Sequence, residues 1–336
     1  MIEKIKEKSF IADAHLDLAY DLVRKRSWGR KNVLEDDYYS DISKGSVNLI
    51  ISSIFIDDKF LPEMALKRGL MQFEALLSDI DESEHFKFAS SSDDIKRNYE
   101  DGYVSIMMCF EGVEPIYDSI ELLNIFNRLG LSGVGLAWSR RNFASDGSKF
   151  VDTLEGKQGG ITEFGVKLLK KMEKEKLYLD LSHINEEGFI DALKFYKGKV
   201  MISHTNCRTL NNTMRNSSEE QVKKVIELDG FIGVNAMNFT VSNGISPENI
   251  DGYCNHIDKI IKLGGENNVG FGFDFNDIIL QHIPKGELVN LPREPFDCVK
   301  GYKEVDLIID NFLSRGYSQE TISKILGGNL FDFLVR

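Results

Sequence analysis

Two kinds of apolar pattern alternate along the chain. Short, nearly continuous apolar runs rich in β-branched residues occur at SFIADAHLD (9–17), VNLIISSIFI (47–56), YVSIMMCFEG (103–112), LSGVGLAW (131–138), LYLDLSH (177–183), VMISHT (200–205), FIGVNAM (231–237) and NVGFGFDF (268–275). Continuous hydrophobicity over so few residues is the pattern of strands buried on both faces, as in parallel sheets. Between them lie segments with helical spacing, among them EMALKRGLMQFEALLSDI, SIELLNIFNRLG, TEFGVKLLKKMEKEK, NEEGFIDALKFYKG, SEEQVKKVIELDG and ENIDGYCNHIDKIIKLGG. Several open on Ser, Thr or Asn, whose side chains accept from free amides at a helix start, and several close on Gly.

Eight strand-like runs alternating with helices predict an α/β fold, a (β/α)8 TIM barrel, with a doubly wound open sheet as the alternative. No Pro-rich linker or change of composition divides the chain, so residues 1–336 read as one barrel domain. The first crossover, residues 18–45, is polar and irregular and reads as an extended loop. Two connections, about 139–160 and 276–300, are longer than a compact barrel needs. Loops of that length are often lids, so both are expected to lie over the C-terminal face.

Charge narrows the partners. The 336 residues carry 53 Asp and Glu against 41 Lys and Arg, a net charge of −12. A nucleic-acid or anionic-membrane surface needs the opposite sign. No apolar run approaches the roughly 20 residues that cross a bilayer, and the start, MIEKIKEKSF, carries charge where a signal peptide needs an apolar stretch. A cytoplasmic protein whose partners are small molecules or other proteins is the expectation. The four cysteines, Cys109, Cys207, Cys254 and Cys298, are far apart and form no CxxC pair, so they read as reduced, mostly buried thiols.

The ionisable residues within the apolar runs carry the chemistry. His15 and Asp17 end the first run, Glu111 the third, His183 the fifth and His204 the sixth, and Asp274 falls near the end of the eighth. C-terminal strand ends are where barrel active sites are built, so these side chains are expected to converge. His15 and Asp17 are two apart, which on a strand places both on one face. A carboxylate in an apolar run must be paired, hydrogen-bonded or metal-bound, because burying it alone is very costly. Neutral imidazoles suit zinc, and Glu111 has two oxygens with which to bridge two cations. Two zinc ions, the carboxylates of Asp17, Glu111 and Asp274, and one hydroxide sum to zero formal charge, which favours two metals over one. The other histidines, His85, His256 and His282, read as surface or lid residues.

In this order, DAHLDL, GGITEFG, LYLDLSHINEEGF, MISHTNCRTLNNTMRNSSEEQ, GFIGVN, HIDKIIKLGGENNVGFGFDFND and ILGGNLFDFL resemble the membrane (renal) dipeptidase family of zinc peptidases, from about residue 11 to residue 334. The resemblance implies a metal-dependent hydrolase barrel, usually homodimeric, that cleaves dipeptides, including those with a C-terminal D-residue. It implies two Zn2+ per chain with a hydroxide between them, one ion on His15 and Asp17, the other on His183 and His204, and Glu111 bridging. Glu111 and Asp274 would be catalytic, Asp274 lying beside the bridging water, and Arg215 of MRN would hold the substrate's terminal carboxylate. There are departures. Better-known members carry LTH where this chain has LAW, so Trp138 replaces a substrate-contacting histidine and is expected to wall the pocket or pack at the rim. The usual SDFDG is here FDFND, which keeps Asp274. Two alternatives stay open: a binuclear metal hydrolase of this fold acting on another amide or a lactone, and a non-catalytic binding barrel.

Overall fold

The computed structural model describes residues 1–151, 154, 156–282 and 291–336. Each of the eight apolar runs contains a strand: β1 Ala12–Leu16, β2 Leu49–Ile54, β4 Val104–Glu111, β5 Leu131–Gly135, β6 Tyr178–Asp180, β7 Val200–Thr205, β8 Phe231–Val234 and β9 Val269–Phe271. One strand not anticipated, β3 Phe86–Phe88, pairs with the first half of β4 on the edge that β5 takes up higher along the strand. All pairings between these strands are parallel. Pairing of β2 with β4 and of β1 with β9 closes the sheet into the eight-strand barrel that the alternation predicts.

Strand alternation sorts the core. Ala12, Ala14, Leu49, Ile51, Met107, Cys109, Tyr178, Met201 and Phe231 form one buried cluster inside the barrel, against Leu330 and Phe333 of the helix Asn329–Val335. Ile50, Ile54, Ile106, Met108, Phe110, Val134, Leu179, Ile202, Ile232 and Val269 belong to a second cluster that packs the strands onto the outer helices. Several helices start as their sequences require. Thr162, Asn185 and Asn249 each accept from an amide of the first turn, and Ser218 with Gln221 forms a capping box. All four cysteines are buried free thiols. Among the described residues no helix is long and apolar enough to cross a membrane.

The first crossover is not an extended loop. It holds the helix Leu18–Ser27, a π-helical stretch Leu34–Tyr39 and the helix Ser40–Lys44. Its polar residues misled because they pair with one another inside the protein. Lys25, 1% exposed, lies 2.5 Å from Asp21 and 2.7 Å from Asp37. Asp21 also accepts from Tyr38 Oη (2.6 Å), and Arg26 reaches Asp79 (2.6 Å) on the helix Ala65–Glu82. A hydrophobic pattern cannot reveal a helix docked through buried ion pairs. The second long connection, 276–300, begins with the short helix Asp277–Leu280, and the part of the lid expectation that falls on 283–290 lies outside the described residues.

Removing one member of a buried ion cluster leaves its partners charged in a low-dielectric interior. Lys25→Met is expected to lower unfolding free energy by about 3–5 kcal/mol in urea denaturation. A loss under about 1 kcal/mol would show that the cluster is effectively solvated.

Candidate metal centre

The barrel brings together every ionisable residue singled out at the strand ends. Glu111 sits between the histidines: its Oε1 is 2.8 Å from His183 Nε2 and 3.7 Å from His204 Nε2, and its Oε2 is 3.6 Å from His15 Nε2. His15 Nε2 is also 3.7 Å from Asp17 Oδ1 and 3.9 Å from Asp274 Oδ1. Among the described residues, three groups have ligand atoms within 4.8 Å of each other: His15, Asp17 and Glu111; Glu111, His183 and His204; and His15, Asp180 and His204.

Period-two alternation aims Glu111, which follows Met107 and Cys109 inward along β4, but it does not aim His15 or His204. Ala12 and Ala14 face the barrel interior, so a regular β1 would turn His15 outward. The register between β1 and β2 shifts between Asp13 and Leu16, and this irregularity rotates His15 into the mouth. Asp17 lies past the strand, at the start of the helix Leu18–Ser27, where Ser53 Oγ donates to its carboxylate. A second shift, between Ile202 and Thr205 of β7, turns His204 inward. It is possible because Gly233 and Gly272 face the bulge: a Cβ on either would come within 1.9 Å or less of the Ser203 carbonyl oxygen. His183 and Asp274 have φ of 63° and 56°, left-handed values rare for residues with a side chain. Such backbones cost about 1–3 kcal/mol each and cluster at functional sites.

Buried hydrogen bonds that sequence reasoning missed hold the cluster in place. Ser203 Oγ donates to Asp180 Oδ2 (2.5 Å) and lies 2.9 Å from His204 Nδ1. Since the hydroxyl proton points at Asp180, His204 Nδ1 donates to Ser203, and His204 Nε2 faces the cluster as a lone pair. Asp180 is further fixed by the amides of Ser182 and Ser203 (both 3.0 Å). Ser139 Oγ lies 2.8 Å from His183 Nδ1. Asn235 Nδ2 donates to Asp274 Oδ2 (2.8 Å). Asp13 accepts from the amides of His15 (3.2 Å) and Phe273 (3.0 Å) and from Tyr302 Oη (2.6 Å), joining the two strands that carry His15 and Asp274. The signal for Asp13 and Asp180 was present, since each is a carboxylate in an apolar run, as Asp17 is. The serines gave none.

The electrostatics call for a cation. Burial alone would lower the His15 pKa, but Glu111, Asp17 and Asp274 together outweigh it and hold it at about 10. Burial pushes Glu111 well up and Asp274 up to about 7, and it drives His183 and His204 well below the usual histidine range, leaving both neutral. His183 Nε2 and His204 Nε2 are 2.8 Å apart, and His15 Nε2 is buried with no hydrogen-bond partner. Three carboxylates and three ring nitrogens crowded in this way fit metal ions in charge and in donor type.

Above the cluster is a cavity of about 210 Å³ whose lining includes Asp17, Glu111, His183, Arg215 and Asp274. Arg215 is buried rather than solvated. Burial lowers its pKa to about 10, its Nε has no hydrogen-bond partner, and its Nη2 is 3.3 Å from His204 Nε2. Trp138 walls this cavity between Phe55 (ring centroids 4.8 Å apart) and Phe150 (5.5 Å). The other histidines stay outside. His85 pairs with Glu35 at 2.8 Å and His282 is exposed against Trp28. His256, expected at the surface or in a lid, is instead buried, bonding the Cys207 amide and the Val241 carbonyl.

Comparison with known proteins agrees with this architecture. The family model described as membrane dipeptidase (peptidase family M19) matches residues 1–334. An uncharacterised dipeptidase of Schizosaccharomyces pombe is 26% identical over 350 residues, covering 98% of this chain and 80% of that protein. A dipeptidase of Claviceps purpurea is 24% identical over 252 residues, 75% of this chain and 55% of its own length. A metallopeptidase from Rhodobacter sphaeroides, solved with a phosphinate mimic of the dipeptide L-Ala-D-Ala, superimposes with a TM-score of 0.84 at 22% identity, over 98% of this chain and 99% of that one. At that identity the likeness speaks to the fold.

Groups that orient a metal-binding histidine through its far nitrogen typically tune affinity by roughly 10–100-fold. Ser203→Ala is therefore expected to weaken metal binding by that factor in a chelator competition titration, and Ser203→Thr, which keeps the hydroxyl, to restore most of it. Unchanged affinity in the alanine variant would remove Ser203 from this role.

Proposed function

The chain belongs to the membrane dipeptidase family, peptidase family M19, and from that membership we propose that it hydrolyses the peptide bond of dipeptides, including those with a C-terminal D-residue, at a centre of two zinc ions. His15 and Asp17 would hold one ion, His183 and His204 the other, and Glu111 both. The observation that carries this reading is the position of Glu111, with one oxygen toward His15 and the other toward His183 and His204. Bound at such a centre, zinc lowers the pKa of a water toward neutrality and polarises a carbonyl.

The chain's own residues supply the rest. Asp274 takes the proton of the attacking water on its carboxylate and returns it to the departing amine. Asn235 fixes its second oxygen, and a carboxylate held in place in this way can make both transfers. Arg215 binds the substrate's terminal carboxylate, for which a guanidinium fork is geometrically matched. Its buried Nε without a partner supports that assignment. Phe150 lies under the guanidinium, 5.3 Å from ring centroid to Cζ, and keeps water from it. The homodimer implied by the resemblance belongs to the same reading. A metal hydrolase acting on another amide or a lactone is the second reading, favoured by the aromatic Trp138 where a donor is usual.

Metal analysis with a dipeptide panel separates the readings. About two zinc ions per chain with dipeptide turnover is the expected result, and metal without turnover would favour the second. Arg215→Ala should raise KM at least tenfold while kcat changes much less, and unaltered kinetics on dipeptides would remove Arg215 from recognition. Glu111→Gln is expected to lower occupancy of both metal positions together. Two tightly held zinc ions in that variant would count against a shared ligand.

A further inference from the structure

The cavity above the metal centre is strongly asymmetric. Arg215 marks one end, with its guanidinium over Phe150. Moving away from it, the wall continues through Trp138, whose ring lies 5.6 Å from that of His183, to Phe55, and then to Tyr20, 6.0 Å beyond between centroids. A dipeptide anchored by its carboxylate at Arg215, with its peptide bond beside His183, can direct its first residue along this wall toward Phe55 and Tyr20. Ile279 and Leu280 line the same cavity and add no charge. The carboxylate of Asp57, which also lines the cavity, is already engaged by Tyr20 Oη and by Lys59 Nζ, each at 3.2 Å.

We infer that the Phe55–Trp138 wall is a specificity subsite selecting dipeptides whose N-terminal residue is large and apolar, with aromatic side chains favoured. The physical basis is transfer of an apolar side chain from water onto aromatic faces, which small residues exploit little and acidic ones not at all. Phe55 and Trp138 offer the first residue ring faces, and the Arg140 guanidinium stacked against both rings is held by Glu114 and Asp58. Because Asp57 is engaged by Lys59, a basic first residue would have to displace that pair.

This inference rests on the dipeptidase reading and is tested on the zinc-loaded protein with Gly-Ala, Ala-Ala, Lys-Ala, Leu-Ala and Phe-Ala. Apolar pockets discriminate by roughly 10–200-fold, so kcat/KM for Leu-Ala and Phe-Ala should exceed that for Gly-Ala by at least tenfold. Phe55→Ala should narrow the Phe-Ala to Gly-Ala ratio about tenfold, and Phe55→Leu should narrow it less. Equal turnover of the whole panel, preference for Lys-Ala, or a proportional fall on every substrate in Phe55→Ala would overturn the subsite while leaving a dipeptidase. Hydrolysis of none of the panel would sink the dipeptidase reading, and the subsite with it.

Discussion

The structure turns on a problem of like charge. Asp17, Glu111 and Asp274 converge in a buried barrel mouth around His15, within 3.6–3.9 Å of its Nε2. Carboxylates so close repel strongly where the dielectric is low, and each loses hydration as well. Without a compensating cation the centre must take up protons, which is the meaning of the raised His15, Glu111 and Asp274 pKa values. The neutral pair His183 and His204 adds lone-pair donors without adding negative charge. The site is thus unfavourable by itself and becomes favourable around positive charge.

The barrel tolerates this because its cost is spread over a rigid frame. Two irregular strands, β1 and β7, and two left-handed residues, His183 and Asp274, carry the local strain. Each is braced by buried polar groups: Asp13 ties β1 to β9, and Asp180 with Ser203 fixes β7 against β6. Gly233 and Gly272 make room for the Ser203 carbonyl where any side chain would collide. Beneath the mouth, a buried cluster of inward-facing residues from Ala12 to Phe231 fills the barrel, so the charged layer rests on close-packed, mostly apolar side chains.

Above the charged layer the chemistry divides by direction. On one side Arg215 supplies a buried cation with an unpartnered donor, and along the wall Phe55, Trp138 and Phe150 supply aromatic surface. Charge fixes the orientation of a bound molecule, and apolar area then discriminates among molecules of the same orientation. Membership of the dipeptidase family is consistent with a small zwitterionic ligand of this kind.

Much of this was legible along the chain. Eight continuous apolar runs determined eight parallel strands, because burial on both faces leaves no polar alternation to read. Carboxylates and histidines at the ends of those runs located the site, because a charge in an apolar segment is costly unless something answers it. Other features were written in contacts between distant residues. The polar segment 18–45 folded into helices because Lys25 found Asp21 and Asp37 inside the protein, and His256 was buried because its ring bonds the Cys207 amide and the Val241 carbonyl. The aim of His15 and His204 depended on shifts of strand register, the lone pair of His204 on Ser203 and Asp180, and the setting of Arg215 on the Phe150 ring beneath its guanidinium. The sequence by itself determined which groups would meet at the barrel mouth, since spacing and hydrophobicity are local properties. Only the tertiary structure decided how they face one another, since orientation is set by hydrogen bonds and steric room that residues far apart in the chain supply to each other.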